Sequence, residues 1–465
     1  MKSKLYHLVL LAFAAVFFTA CNWLDSSEVE VSSSAHFRSL TFANAVTADA
    51  AVKNAKFEVV YDATLRDSFI VNVDSLPYNT AIDSVIPTFS FYSMNGTIVY
   101  RNDSTGAFKD SVYLTGTDTL DFRRVFKIKN FASDGKTSVT YRVKVNVHTQ
   151  NPDLYQWKQL NTSIYSHEAN TQKAIYFKKQ LLLFTHNSAE TYLNKSSNGV
   201  SWSGSSVVSS LPDNAKLQSM VVFKDSIYLV NNDNSLYKSV DGVAWIKKSY
   251  QAQNFVFKNL LFDFKSMLWA IVESKSDSEY RFAHSTNGFD WVVDPSAVVD
   301  SNFPVTDFAA VTFSSRTQQP RVLVSGGYNK SGVMLDNVWS SVDGKYWVDF
   351  STENKTYGKR VGSSLIAYEG KLLSIGGVSA KQLVDSTYFI QSADDGLSWK
   401  RADTLMWVRE QLHDTIYKDF KARRDLSVLL DENKYIYIVG GRDTFSTVQK
   451  DVWRGRLNKS VFINK

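Results

Sequence analysis

Cysteine is nearly missing from this chain: Cys21 is the only one in 465 residues. A lone thiol cannot close an intramolecular disulfide, so whatever folds here folds without covalent staples. Charge of one sign is never concentrated either. Fifty-two Lys and Arg stand against forty-six Asp and Glu, a net +6, with no Lys/Arg run or basic stripe, which argues against nucleic-acid binding. Beyond the first twenty residues no apolar run is long enough to span a bilayer as a helix. The seven histidines (His7, His36, His148, His167, His186, His284 and His413) show no metal-binding spacing. No Gly-x-Ser-x-Gly elbow and no phosphate loop occur. These absences point away from metal, cofactor and nucleophilic-serine chemistry, and no cofactor is expected.

Aromatic residues, by contrast, are plentiful. Eleven Trp, 23 Tyr and 30 Phe make up 14% of the chain, as half-buried strands and the packing between sheets require. Hydrophobic content of 44% and charged content of 21% are those of a globular protein, and the length predicts two or three domains. Residues 1–20 read as an export signal, with Lys2 and Lys4 before an apolar run from Leu8 to Phe18. Setting those two lysines aside leaves a weak net charge of +4. Phe18-Thr19-Ala20-Cys21 resembles a bacterial lipobox, with Phe where Leu is usual. The resemblance implies that Cys21 is lipidated and becomes the mature N-terminus, anchored firmly at ~0.8 kcal/mol per buried CH₂. Residues 21–34, with Asp25, Glu28, Glu30 and several serines, read as a tether.

Residues 35–152 alternate apolar and polar positions with no convincing helix, most clearly over Val139–Val147. Asp134-Gly135 predicts a turn before that strand. Asn95-Gly96, between Phe89–Phe91 and Ile98–Tyr100, predicts a hairpin. About seven short strands fit an immunoglobulin-like β-sandwich without the cysteine pair of antibody domains.

Residues 153–465 carry a repeat. Ser196-x-Asn198-Gly199-x-x-Trp202 recurs at Ser239–Trp245, Ser285–Trp291 and Ser341–Trp347, and with one extra residue at Ser392–Trp399. The tryptophans lie 43, 46, 56 and 52 residues apart, the length of a four-stranded propeller blade. Two apolar runs precede each motif, as Ala174–Phe177 and Leu181–Phe184 precede the first, and continuous apolar runs mean strands buried on both faces. A sixth pair, Leu426–Leu430 and Tyr435–Val439, lacks the motif. The strand around Trp453 therefore needs a fourth partner, expected at Leu154–Leu160 with Trp157 in the tryptophan's place. The fold class is all-β: a sandwich followed by a six-bladed propeller closed by its own first strand.

The pattern Arg360, apolar strand, turn, apolar strand, Gly376-Gly377 and a later Trp resembles the kelch repeat; Arg424 with Gly440-Gly441 is expected to repeat it. The Ser392–Trp399 motif resembles the Asp box of sialidases. The whole chain looks like a lipoprotein family of Bacteroidota with a kelch-type C-terminal domain, a resemblance that brings no known activity. The Asp-box turns themselves read as structural. Their Asp or Asn and Ser cap backbone N–H groups, and their Gly takes the left-handed position.

Chemistry is expected instead at the mouth, where chain enters the first strands and leaves the second. Asp307, Arg360, Arg424, Arg442 and Trp407 are the candidate ligand-binding residues, since aromatic faces and Arg forks suit a sugar or peptide. Only two of the three arginines a sialidase needs have a place, and the one cysteine of a copper–radical site would be the lipid anchor. The reading is a lipid-anchored cell-envelope protein of the outer membrane. Its mouth recognises a glycan or protein partner; the alternative is a propeller-type glycoside hydrolase or lyase.

Overall fold

The computed structural model describes residues 31–42, 50–102, 108–248, 254–351, 357–379, 381, 389–403, 406, 408 and 420–458. Residues 1–30, Cys21 among them, and Trp407 lie outside the described residues. The chain divides into two compact units, Met1–Asn151 and Pro152–Lys465.

In the first unit one sheet has six strands, in the order Phe57–Asp62, Asp67–Asn72, Ser138–Lys144, Phe126–Phe131, Gly96–Asn102 and Phe108–Tyr113. Only the pairing of Asp67–Asn72 with Ser138–Lys144 is parallel. A second sheet of two strands, Phe37–Thr41 and Thr88–Phe91, lends Phe37, Leu40, Phe89 and Phe91 to a core shared with Ile70, Val99, Ile128 and Val143. The Asp134-Gly135 turn forms: Asp134 Oδ1 accepts from the N–H groups of Lys136 and Thr137, and Gly135 has φ +66°.

The Asn95-Gly96 hairpin does not form. Thr88–Phe91 pairs with Phe37–Thr41, whereas Gly96–Asn102 pairs with Phe126–Phe131 and Phe108–Tyr113. The connection between them is held from outside the expected hairpin. Asn130 Nδ2 donates to Ser93 O, Ser93 Oγ bonds Ser133 Oγ, and Asn95 N donates to Phe131 O. These tertiary bonds carry the chain from one sheet to the other and override the local turn preference. A one-turn helix, Ala50–Lys53, is also present. Among the described residues no helix is long and apolar enough to cross a membrane.

The second unit holds six four-stranded antiparallel sheets among its described residues. Their first strands are Thr171–Phe177, Val221–Phe223, Phe255–Phe264, Ala309–Ser314, Ser364–Tyr368 and Ser427–Leu430. From Val221–Phe223 onward each first strand touches the next, and the last touches Thr171–Phe177. Thr171–Phe177 in turn meets the 3-10 turn Leu217–Ser219 that leads into the second sheet. The first strands therefore ring a common axis, the arrangement of a β-propeller. The second strands are the most buried, as their uninterrupted apolar runs require; every residue of Ile436–Val439 is buried.

The sheet nearest the C-terminus is completed from the N-terminal side of the unit. Val452–Leu457 pairs antiparallel with Tyr155–Asn161, Gly455 facing Trp157, so Val452–Leu457 is not left as an open edge. Trp157 packs against Phe389 of the preceding sheet and donates from Nε1 to Met406 O. The repeat tryptophans do the same one sheet after another. Trp245 meets Phe184, and Trp347 meets Phe262 and Phe282.

Candidate functional site

Antiparallel succession fixes which end of the ring holds which loops. Chain enters each first strand and leaves each second strand at one end; the third-to-fourth-strand turns lie at the other. The Ser/Asp/Gly/Trp motifs occupy that other end and are consumed by structure. In the second sheet Ser239 Oγ accepts from Gly242 N at 2.9 Å, and Asp241 Oδ1 accepts from Val243 N and Ala244 N at 2.8 and 2.9 Å. Trp245 Nε1 donates to Gly242 O. A Cβ on Gly344 would come within 2.5 Å of Trp269 in the preceding sheet, so this glycine is needed for close approach as well as for its φ of +80°.

At the entry end a channel of about 290 Å³ runs along the axis, lined from all six sheets. Its polar groups are Lys173, Gln218, Asn259, Asp307, Ser363, Ser364 and Asp425. Three of the first strands begin alike, with Asp307, Gly362 and Asp425 at φ of +52°, +67° and +55°. Gly362 N donates to Asp307 O and Asp425 N to Gly362 O, a backbone chain stepping around the mouth. Asp tolerates the left-handed conformation at a modest cost. At Gly362 no side chain would fit, because a Cβ would lie 2.5 Å from Asp425 Oδ1.

The charges sort into one engaged carboxylate and one free one. Asp425 Oδ2 accepts from Arg424 Nε at 2.9 Å and lies 3.7 Å from Arg442 Nε. Asp307 has no ion pair among the described residues. Its side chain is exposed at the channel mouth, with the groups of the lining close around it. Partial desolvation by those groups, aided by the negative charge of Asp425, raises its pKa above the ordinary carboxylate value, and Arg424 and Arg442 only partly offset the rise. Burial likewise lowers the pKa of Lys173, with Asp425 opposing.

Asp307, Arg424 and Arg442 thus meet at the mouth. Arg360 does not, and this corrects the expectation for it. It is buried at 6% exposure, donates from Nη1 to Gly376 O and lies over the Tyr357 ring. Its counterpart is not Arg424 but Arg423, which is 1% exposed, donates from Nη1 to Gly440 O and forms a two-pronged ion pair with Asp451 at 2.6 and 3.0 Å. The two adjacent arginines made the register ambiguous by one residue. The buried arginine belongs to the repeat, and Arg424, one step on, is the one released to the mouth. Gly376 and Gly377 wrap the Arg423 backbone, with Gly377 N donating to Arg423 O.

Two channel residues, Lys173 and Asn259, escaped sequence reasoning, each lying in a first strand just ahead of its apolar run. Asp443, next to Arg442 in the loop after Gly440-Gly441, is buried and caps its own turn by accepting from Phe445 N and Thr447 N. Among the described residues no group of three or more His, Cys, Asp or Glu is placed to hold a metal ion.

Two family models match the chain. Residues 151–465 match the DUF6242 beta propeller domain, and residues 30–145 match the N-terminal domain of the same domain of unknown function, DUF6242. No curated protein matches. Among solved structures, one titled "Structure of YjhT" aligns at 12% identity, covering 62% of this chain and 95% of its own, with a TM-score of 0.43.

Proposed function

We propose a function for this chain, which belongs to the DUF6242 family: it is a lipid-anchored cell-envelope binding protein whose propeller mouth recognises a glycan or a protein partner. The six four-stranded sheets around one axis support a count of six blades, and the two face-packed sheets of the first unit support a sandwich of immunoglobulin-like kind. The observation that carries the binding reading is the meeting of Asp307, Arg424, Asp425 and Arg442 at the entry to the axial channel. Arg424 and Arg442 are about one-third exposed, so their remaining donors stay open to a ligand. Replacing both with Ala is expected to weaken retention on a polymeric glycan or partner by ~1–3 kcal/mol without unfolding the ring. Unchanged retention would count against the mouth.

The anchor rests on Phe18-Thr19-Ala20-Cys21 and on the likeness to lipoproteins of Bacteroidota. Cys21→Ala should abolish palmitate incorporation and release the protein from membranes; continued membrane fractionation of that variant would sink the anchor. Protease treatment of intact cells distinguishes the periplasmic face of the outer membrane from the outer one.

One observation favours a second reading, a propeller-type glycoside hydrolase or lyase. Asp307, with its raised pKa, and the arginine-held Asp425 are a carboxylate pair across the mouth, one suited to give a proton and one to stay ionised. Binding is preferred because Asp425 is committed to two arginines and packs on Gly362. Saturable release of reducing sugar, lost in Asp307→Asn, would reverse that preference.

A further inference from the structure

We infer that the axial channel contains a subsite for the carboxylate of an acidic sugar, with Lys173 as its counter-ion. The inference rests on the mouth-binding reading and narrows its ligand. Lys173 lies in the first strand of the first sheet, Thr171–Phe177, between two residues turned into protein. Gln172 donates to Gly441 O and Gln449 O, and Ala174 is buried. Strand alternation therefore sends Lys173 to the axis, where it lines the channel.

No hydrogen bond or ion pair engages its ammonium among the described residues. The nearest opposing charge, Asp425, is already held by Arg424 and Arg442. Lys173 is only partly exposed, and an ammonium set among protein groups without a partner costs stability, so the position is poorly explained by folding. The neighbouring first strands present Val222, Leu261, Ala310 and Ser364 to the same channel, whose other charged groups are the carboxylates Asp307 and Asp425 at its mouth. An anion entering the channel would supply the missing partner.

The remaining walls say what else that anion carries. Gln218, Ser363, Ser364 and Asp307 offer acceptors and donors of the kind sugar hydroxyls use, and the exposed wall is mostly polar. The volume of about 290 Å³ falls at the small end of ligand sites, which run ~300–1,000 Å³. It suits one sugar ring, so the terminal unit of a longer glycan enters and the chain leaves past Arg424 and Arg442. A peptide C-terminus would also bring a carboxylate, but its side chain would ask for an apolar recess where this wall is polar.

Titration of D-galacturonate and D-glucuronate into the full-length protein, beside D-galactose and D-glucose, tests this. The uronates should bind at least tenfold more tightly than the neutral hexoses. Lys173→Met should lose that tenfold preference while its thermal unfolding stays cooperative. Retention of a polymeric glycan by the unaltered protein, with no preference for uronates over hexoses among the monosaccharides, would mean that the subsite fails while the mouth reading stands. On the unaltered protein, uronate affinity should fall as pH rises from neutrality, well before the ordinary lysine value of 10.5 is reached. Equal binding of uronates and hexoses, undiminished uronate binding by Lys173→Met, or a flat pH profile would each overturn the proposal. Tighter binding of a short peptide with a free C-terminus would replace its ligand class.

Discussion

Adjacent arginines with opposite fates show how finely position decides role. Arg423 is sealed between Asp451, Gly440 O and the Phe420 ring, while Arg424 leans on Asp425 with about a third of its side chain exposed. Arg423→Ala leaves Asp451 buried with only Trp453 Nε1 as a side-chain donor, and should cost ~3–5 kcal/mol in urea unfolding. Arg424→Ala should cost less than ~1 kcal/mol by the same measurement. Comparable losses would mean that the two do not differ in role as their contacts indicate. Lys173 makes a prediction of its own. Its folded pKa lies below 10.5, so between the two values the unfolded chain holds a proton that the folded chain has released. Stability therefore rises with pH across that window and is lower on its acid side. Lys173→Met should flatten this slope and raise stability near neutrality, as read from melting temperature against pH.

Turns and strands behave as independent units where their bonds are local, and not elsewhere. The Asp241 turn is closed by its own residues. Burial alone would raise the carboxyl pKa, but N–H donors from Ala244 and Val243 and the Ser239 hydroxyl outweigh it and hold the group ionised. Asp241→Ala should thus cost ~1–2 kcal/mol of stability at neutral pH and leave ligand affinity unchanged, since this turn faces away from the mouth. A loss of affinity with stability intact would place the binding surface at the wrong end of the ring. The Asn95-Gly96 segment is the contrary case. Its sequence favours a hairpin, yet Asn130 and Ser133 hold the connection so that its flanking strands join different sheets.

Closure is a property of the whole second unit. The bond between Val452–Leu457 and Tyr155–Asn161 spans nearly its full length in sequence and leaves the last sheet with no unpaired inner edge. A chain beginning at Thr162 loses that strand and exposes the backbone of Val452–Leu457. It should aggregate or melt at a clearly lower temperature than a chain beginning at Asn151. Equal melting of the two would show that the ring does not depend on this strand.

The repeat, the buried second strands and the closing strand were legible in sequence because each rests on short-range chemistry. Glycine at a left-handed turn, a side-chain oxygen on a nearby N–H, tryptophan at a fixed offset and unbroken apolar runs leave marks within a few residues. Asp307 and Arg442 were legible for the same reason, as charges next to strand ends. What only the tertiary structure decided is which charges face one another. Lys173, Asp307 and Asp425 are far apart in sequence and come from three sheets, so their meeting depends on the ring and on no local pattern. Arg360 was misplaced because the alternatives, a mouth side chain or a buried tie to Gly376 O, differ only in which way a strand-start residue points. That direction is set by packing against the neighbouring sheets, through contacts distant in sequence.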